Sequence, residues 1–335
     1  MKEAAFYTKE KEQKVHCYLC PHNCLIREGK RGICRVRKNV DGKLMAETYG
    51  QICSAGFDPI EKKPLYHFHP GNTIFSVGSI GCNLHCRFCQ NWEISQTDVE
   101  EFDHLRNYQP DEIVKIAGER KDNFGIAYTY NEPTVWFEYM DDIATRAKDK
   151  GLKNVMVTNG FISPDPLQRS FEFMDAYSVD LKAFDEEFYR KLTASKLEPV
   201  KKALKMIRDA RKHMEITNLV ITGENDEEAV FEEMIKWIGG ELGNKTVLHI
   251  SRYYPTYRLN NPPTSPDTLE RFYEIASRHL AYVYIGNIIS KNGQNTYCDN
   301  CKELLIERSR YNTRLKNVKD DGSCGNCGNE VFVMN

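Results

Sequence analysis

Short apolar stretches rich in β-branched residues alternate along the chain with longer stretches whose apolar residues recur at helical spacing. The β-type stretches are residues 73–80, 125–130, 154–158, 177–181, 215–221, 247–253 and 282–288. The helical stretches are residues 110–120, 134–150, 165–174, 185–192 running on to 199–212, 227–242 and 267–280. This alternation predicts parallel strands joined by right-handed helical crossovers, in an open sheet or in a barrel.

Length and charge exclude several classes of protein. The 335 residues suffice for one barrel-sized domain with small appendages. Acidic and basic residues are interleaved and the net charge is −2, so no clear nucleic-acid-binding surface is expected. No apolar run approaches the roughly 18 residues of a membrane-spanning helix, and residues 1–14 are charged rather than apolar. We therefore expect a cytoplasmic protein without a secretory signal.

All but one of the twelve cysteines fall into three groups whose short spacings are typical of metal ligands. The groups are Cys17, Cys20, Cys24 and Cys34; Cys82, Cys86 and Cys89; and Cys298, Cys301, Cys324 and Cys327. A reducing cytoplasm keeps such thiols free to bind metal, so we expect no disulfides. Cys53 stands alone and is predicted to be a small buried apolar residue.

The central group has the spacing C-x3-C-x2-C on a short loop directly after the apolar stretch 73–80. A [4Fe–4S] cube has four irons, so three cysteines leave one iron without a protein ligand. That open iron is a site for chemistry. The alternatives are buried apolar cysteines, or a zinc knuckle completed by His85, but a closed zinc site does not explain three cysteines alone.

The N-terminal group lies in a segment too short to build its own apolar core, so we expect a metal to hold it folded. Zinc and a second iron–sulfur cluster are both open here, because the spacing does not choose between them, and zinc is slightly favoured. A dithiol redox pair at Cys17 and Cys20 is a further alternative.

The C-terminal group consists of two C-x2-C pairs separated by a charged stretch. This pattern predicts a zinc ribbon, with an iron–sulfur cluster as the less favoured interpretation. Ribbons often bind nucleic acid, but few aromatic residues accompany the arginines and lysines of this stretch. A docking role is therefore at least as consistent with the sequence.

Charged residues stand near the carboxyl ends of several predicted strands. Glu132 follows the second strand, and its carboxylate can accept a hydrogen bond from an amine or stabilise the start of the next helix. Asp180 and Lys182 end the fourth strand on one face, where opposite charges are costly unless a ligand or ion completes them; a structural ion pair is the alternative. On the sixth strand Arg252 can clamp a carboxylate or phosphate, and His249 then points to the other face unless the register shifts.

Four stretches of the chain together resemble a known family. They are residues 62–67, the cysteine loop with the following residues 90–95, residues 130–134 and residues 180–182. With Phe88 before the last cysteine of the loop, the chain resembles the AmmeMemoRadiSam system radical S-adenosylmethionine (SAM) enzymes, which are related to the pyruvate formate-lyase activating enzymes. The resemblance extends over nearly the whole chain.

This resemblance implies an α/β fold with a partial (β/α)6 TIM-like barrel as the radical SAM core. We accordingly expect an N-terminal Cys-rich metal-binding segment at residues 1–70, the barrel at residues 71–290, and a zinc-ribbon-like module at residues 291–335.

The resemblance also implies a [4Fe–4S] cluster at Cys82, Cys86 and Cys89 whose open iron chelates SAM. One electron from the cluster then releases a 5′-deoxyadenosyl radical, which abstracts hydrogen from an unidentified substrate. The residues expected to bind SAM are Phe88, Asn131, Glu132, Thr158, Asn159, Asp180, Lys182, Asn218 and Arg252.

The implied partners are an electron donor such as ferredoxin or flavodoxin, and proteins resembling Memo and AMMECR1. The target is either a small molecule or, as for a glycyl-radical activase, a glycine on a partner protein. A hypothesis of another class is a metal-knuckle module that docks protein or RNA without catalysis. The open iron argues against that hypothesis, because a scaffold needs no vacant coordination site.

Overall fold

The computed structural model describes residues 1–334, and its centre is an eight-stranded sheet. In chain order the strands are β1 (Ser54–Pro59), β2 (Thr73–Gly78), β3 (Asn123–Tyr128), β4 (Lys153–Thr158), β5 (Ala176–Asp180), β6 (His213–Val220), β7 (Val247–Arg252) and β8 (Val283–Gly286). Neighbours in the sheet follow the same order. Strands β2 to β8 pair in parallel, and β1 pairs with β2 in the antiparallel direction. The predicted α/β partial barrel is therefore confirmed.

Helices connect the parallel strands. The α-helices are Trp92–Ser95, Pro110–Glu119, Phe137–Asp149, Pro164–Ser170, Glu186–Phe188, Leu197–Asp209, Glu228–Trp237 and Pro266–Ser277. Single turns of 3-10 helix span Ile60–Lys62 and Pro133–Trp136, and π-helical turns span Tyr189–Thr193 and Ile238–Leu242. Apolar residues at helical spacing form the buried side of each long helix, as from Met140 to Ala147. Within residues 1–334, no helix has both the length and the apolar character needed to cross a membrane.

One predicted helix is interrupted. The helix over residues 185–192 is expected to run on to 199–212. Instead the first helical segment ends at Thr193 and the next begins at Leu197, and between them Ala194 has a left-handed φ of 56°. The Glu186 carboxylate accepts hydrogen bonds from the backbone N–H groups of Leu197 and Glu198, each at 3.2 Å. A side chain of the first helix thus satisfies N–H groups at the start of the second, which stabilises the break.

The segment between β1 and β2 reaches the inner face of the sheet. The backbone N–H groups of Tyr66 and His67 donate to the buried Glu215 of β6 at 2.9 and 2.7 Å. Burial opposes the charged form of Glu215, but hydrogen bonds from His213 and His249, at 3.0 and 2.6 Å, hold its pKa well below the usual range. This anion therefore joins the segment to two barrel strands.

Two small three-stranded antiparallel sheets form most of the N-terminal region. One contains Lys2–Glu3, Lys43–Ala46 and Arg37–Val40, and the other contains Tyr7–Lys9, Val15–Cys17 and Cys24–Ile26; a separate two-stranded ladder pairs Gln51–Ile52 with Arg106–Asn107. The buried Arg37 guanidinium binds both carboxylate oxygens of Glu138, at 2.9 and 2.7 Å. A bidentate buried pair of this kind fixes the N-terminal region against a barrel helix.

The C-terminal region is a three-stranded antiparallel sheet formed by Thr296–Tyr297, Leu304–Ser309 and Asn312–Leu315. Arg308 donates to the carbonyl of Tyr66 at 2.9 Å. The backbone N–H of Val333 donates to the carbonyl of His67 at 2.8 Å. The C-terminal region therefore packs on the same segment that Glu215 holds.

Candidate functional site

A cavity of about 600 Å³ lies at the carboxyl ends of the barrel strands. It brings together the residues predicted for the cluster and for SAM, apart from Asn218 and Arg252: Cys82, Cys86, Phe88, Cys89, Asn131, Glu132, Thr158, Asn159, Asp180 and Lys182. Parallel strands end at the same edge, so polar residues far apart in the chain meet there.

The cysteine loop begins directly after β2. Gly81 has a φ of +83°, and a Cβ atom there would lie 2.7 Å from the carbonyl oxygen of Cys34. Only glycine accommodates this combination of left-handed backbone and close contact. Asn131 supports the turn, because its Nδ2 donates to the carbonyl of Gly81 at 2.8 Å. Cys86 is buried and Cys82 is half-buried, with the Nδ2 of Asn159 at 3.7 Å from Cys82 Sγ.

Glu132 is the most heavily hydrogen-bonded carboxylate of the cavity. Its Oε1 accepts from the backbone N–H and hydroxyl of Thr134, at 3.0 and 2.6 Å, and from the hydroxyl of Thr158 at 2.8 Å. Its Oε2 accepts only the backbone N–H of Asn159, at 2.8 Å. Burial raises the pKa of Glu132, although these donors oppose the rise. The predicted helix-start role is confirmed, and Oε2 retains capacity for another donor.

Asp180 and Lys182 form an ion pair at the end of β5, with Lys182 Nζ at 2.7 Å from Asp180 Oδ2. Burial lowers the pKa of Lys182, but attraction from Asp180 outweighs it and the pKa is raised. Lys182 Nζ also lies 5.9 Å from the centre of the Phe88 ring. The lysine therefore remains a cation between the anion and the cysteine loop.

Asn218 and Arg252 lie outside this cavity. Asn218 Nδ2 donates to the carbonyl of Leu181 at 2.8 Å, and Arg252 Nε donates to the carbonyl of Thr264 at 2.8 Å. The cavity is lined instead by Thr217, Leu219 and Ser251, their neighbours along β6 and β7. Successive strand residues point to opposite faces, so an error of one residue moves a side chain out of the site.

His249 shares the inner face of β7 with Ser251. The sequence predicts Arg252 toward the pocket and His249 on the other face unless the register shifts, but in the structure Ser251 lines the pocket and Arg252 does not. His249 lies too deep to line the cavity and donates to Glu215 instead.

Sequence reasoning missed several cavity residues. Lys62, Lys63, Asn287 and Tyr311 also line it. Both lysines contact the Asp58 carboxylate, at 2.7 and 2.8 Å. Burial opposes ionisation of Asp58, but these hydrogen bonds hold its pKa well below the usual range. The lysines lie in one of the stretches that carry the family resemblance, whereas no sequence signal marks Tyr311.

The other two cysteine groups differ in how closely their sulfurs approach. Cys298 and Cys327 have an Sγ–Sγ distance of 3.6 Å, as do Cys301 and Cys324. All four of these sulfurs lie within 4.8 Å of one another, a spacing that suits one metal ion. The four N-terminal cysteines instead line a separate, small cavity of about 20 Å³.

Comparison with known proteins identifies relatives in sequence and in fold. The family model of the Radical SAM superfamily matches residues 77–238. A relative in Methanocaldococcus jannaschii, "Uncharacterized protein MJ0808", is 42% identical over 337 residues, covering 100% of each chain.

Two solved structures share the fold. A radical SAM methyltransferase from Sphaerobacter thermophilus has a TM-score of 0.51 at 18% identity, covering 65% of this chain and 67% of that one. Streptococcus suis SuiB bound to S-adenosylmethionine has a TM-score of 0.50 at 13% identity, covering 62% of this chain and 48% of that one. At these identities the likeness shows the fold alone.

Proposed function

Because the chain belongs to the radical SAM superfamily, we propose that it binds a [4Fe–4S] cluster and SAM in the large cavity and abstracts hydrogen from a substrate. The observation that carries this proposal is the convergence of three cysteines and the predicted polar residues on one cavity at the strand ends. When bound, the cluster and SAM supply a one-electron cleavage of the sulfonium that yields a 5′-deoxyadenosyl radical.

Cys82, Cys86 and Cys89 hold the cluster in this proposal and leave its fourth iron free for SAM. Glu132 orients the end of SAM that carries the ammonium, because Oε2 has one protein donor and can accept another hydrogen bond. Asp180 and Lys182 present opposite charges to the same cavity and so fit a ligand with both a carboxylate and hydroxyl groups. Asn218 and Arg252 receive no direct role.

The cavity also has lining residues that the cluster and SAM do not require. Its volume of about 600 Å³ lies within the roughly 300–1,000 Å³ of small-molecule sites. We assign Lys62, Asn287 and Tyr311 to the substrate, because they line the cavity and are not needed for the cluster or SAM. The substrate is a small molecule, or a glycine of a partner protein if the chain acts as an activase.

The remaining modules and partners complete the proposal. The 3.6 Å sulfur pairs of the C-terminal group support zinc there. The boundaries 1–70, 71–290 and 291–335 remain our proposed division of the chain.

Radical SAM enzymes use electron donors, and we propose ferredoxin or flavodoxin for this one. The family resemblance supports partners similar to Memo and AMMECR1.

The test is anaerobic reconstitution with iron and sulfide, followed by dithionite and SAM, with 5′-deoxyadenosine as the measured product. We expect wild type and Cys53→Ala to form it, because Cys53 is not in the cavity lining. Cys86→Ala should fall to the background rate, because the cluster loses a ligand. A wild-type protein with a full cluster and bound SAM that forms no product would contradict the proposal, as would undiminished product from Cys86→Ala.

A further inference from the structure

The four N-terminal cysteines surround one cavity although they come from different parts of the segment. Cys17 and Cys24 are directly opposite each other on two antiparallel strands, so their side chains share a face. Cys20 lies in the turn between these strands, and Cys34 lies in a later turn that spans residues 32–35. All four line one small cavity of about 20 Å³. The fold therefore gathers four thiols around one point.

The spacing of these sulfurs differs from that of a single-ion site. A tetrahedral zinc ion with bonds of about 2.3 Å holds its sulfurs about 3.8 Å apart. The C-terminal group meets this requirement, with pairs at 3.6 Å. Within residues 1–334 it is the only group in which three or more ligand atoms all lie within 4.8 Å of one another. No three of the N-terminal sulfurs are therefore close enough to share one ion.

The cysteines of the barrel loop provide a second internal reference. Cys82, Cys86 and Cys89 also line a cavity together without meeting the 4.8 Å limit. In an iron–sulfur cluster the thiolates are distributed over several irons bridged by sulfide, so they stand further apart than around one ion. The N-terminal group thus resembles the barrel-loop group and differs from the C-terminal group; the comparison rests on the cluster proposed above for the barrel loop.

We propose that Cys17, Cys20, Cys24 and Cys34 hold a second iron–sulfur cluster. With four thiolates all its irons are ligated by protein, so it offers no open iron to SAM. Arg37 lines the same cavity, and its buried Nε has no hydrogen-bond partner among the described residues. A thiolate or a sulfide of the cluster would supply the missing acceptor.

This second site lies directly behind the barrel loop. The carbonyl of Cys34 contacts Gly81, the residue before Cys82, and His22 Nε2 lies 2.7 Å from the carbonyl of Asn83. A cluster at this position braces the loop and adds a one-electron redox group beside the proposed catalytic site.

The deciding variant removes the barrel cluster and leaves the N-terminal cysteines intact. The full-length chain with Cys82, Cys86 and Cys89 all changed to Ala is reconstituted anaerobically, and iron, sulfide and zinc per chain are measured with Mössbauer spectra. We expect about two or four irons with equal sulfide to remain, the number showing the cluster type, and about one zinc. A variant without cluster iron overturns the proposal, most directly if it holds about two zinc ions per chain.

A reciprocal variant, Cys17→Ser with Cys24→Ser, should lose the same amount of iron and sulfide and retain about four irons in the barrel loop. Cys53→Ala serves as the matched control and should keep the full wild-type content. If the reciprocal variant fails to fold, the triple variant still decides the question. The readout is metal content, so an enzyme that forms no 5′-deoxyadenosine leaves this proposal intact, and zinc at this site leaves the radical chemistry intact.

Discussion

At the scale of single residues, Glu132 combines a structural duty with a proposed ligand contact. One carboxylate oxygen accepts three hydrogen bonds from Thr134 and Thr158, while the other accepts one from Asn159. Hydrogen-bond donors that follow two neighbouring strands therefore hold the buried carboxylate of Glu132 in place. The sequence identified this residue because a glutamate after a strand is a recognisable signal, but it gave no indication of how many donors the carboxylate serves.

We predict that Glu132→Gln weakens SAM binding by roughly tenfold, because a charge-assisted hydrogen bond to the ammonium becomes a neutral contact. In either orientation the amide NH2 also meets a backbone N–H, that of Asn159 or that of Thr134, which costs about 1–3 kcal/mol of stability. The dissociation constant of SAM for the reconstituted protein is the measurement. Arg252→Lys is the control and should bind SAM as wild type does, since Arg252 lies outside the cavity. Unchanged affinity in Glu132→Gln would exclude the ammonium contact.

At the scale of elements, the strands and helices were largely predictable because buried parallel strands produce continuous apolar runs. The direction in which side chains point near the strand ends could not be predicted. Asn218 and Arg252 each lie one residue from a cavity residue. When a strand is buried on both faces, the sequence does not show which set of alternating side chains points into the barrel. The helix break near Ala194 depends on the Glu186 carboxylate, a tertiary contact that periodicity does not reveal.

The segment between β1 and β2 depends on the charge of Glu215. We predict that Glu215→Gln lowers stability at pH 7 by about 3 kcal/mol, because the buried network of N–H and histidine donors loses its anion. The folded-state pKa of Glu215 is depressed, so its stabilisation is present above pH 4.5 and is lost as pH falls toward the folded pKa.

Thermal unfolding midpoints across pH are the measurement. The difference in unfolding midpoint between wild type and Glu215→Gln should stay constant above about pH 5 and become smaller below pH 4.5. The exposed Glu101→Gln should match wild type throughout. A gap that persists unchanged in acid would show that the loss arises from packing rather than from charge.

At the scale of the whole molecule, the sequence predicted three cysteine groups but not how they are arranged. The N-terminal region packs behind the barrel loop, and Tyr311 of the C-terminal region reaches the cavity. Such contacts join residues that are far apart in the chain and leave no local sequence pattern. Hydrophobic periodicity and cysteine spacing therefore could not predict them. The proposed boundaries likewise remain a prediction, although β1, from the stretch expected in the N-terminal segment, is part of the barrel sheet.

Gly81 is where the N-terminal region and the barrel loop meet most closely. In Gly81→Ala the new Cβ would stand 2.7 Å from both the Cys34 carbonyl oxygen and a Val36 methyl group, on a backbone with φ of +83°. We predict a loss of about 2 kcal/mol or more in stability, since left-handed strain and overpacking add. Iron should also leave the protein faster in the presence of a chelator, because relief of the clash separates the two regions.

The matched control is Gly118→Ala, at a helical position where nothing beyond the chain neighbours and the helix's own backbone lies within 4 Å of the new Cβ. It should stabilise the protein by up to about 1 kcal/mol and leave the rate of iron release unchanged. Equal unfolding midpoints for Gly81→Ala and wild type would mean that the two regions separate freely. In that case the N-terminal cysteines would bind their metal independently of the barrel loop. The second cluster would then not brace the loop through the contact at Gly81.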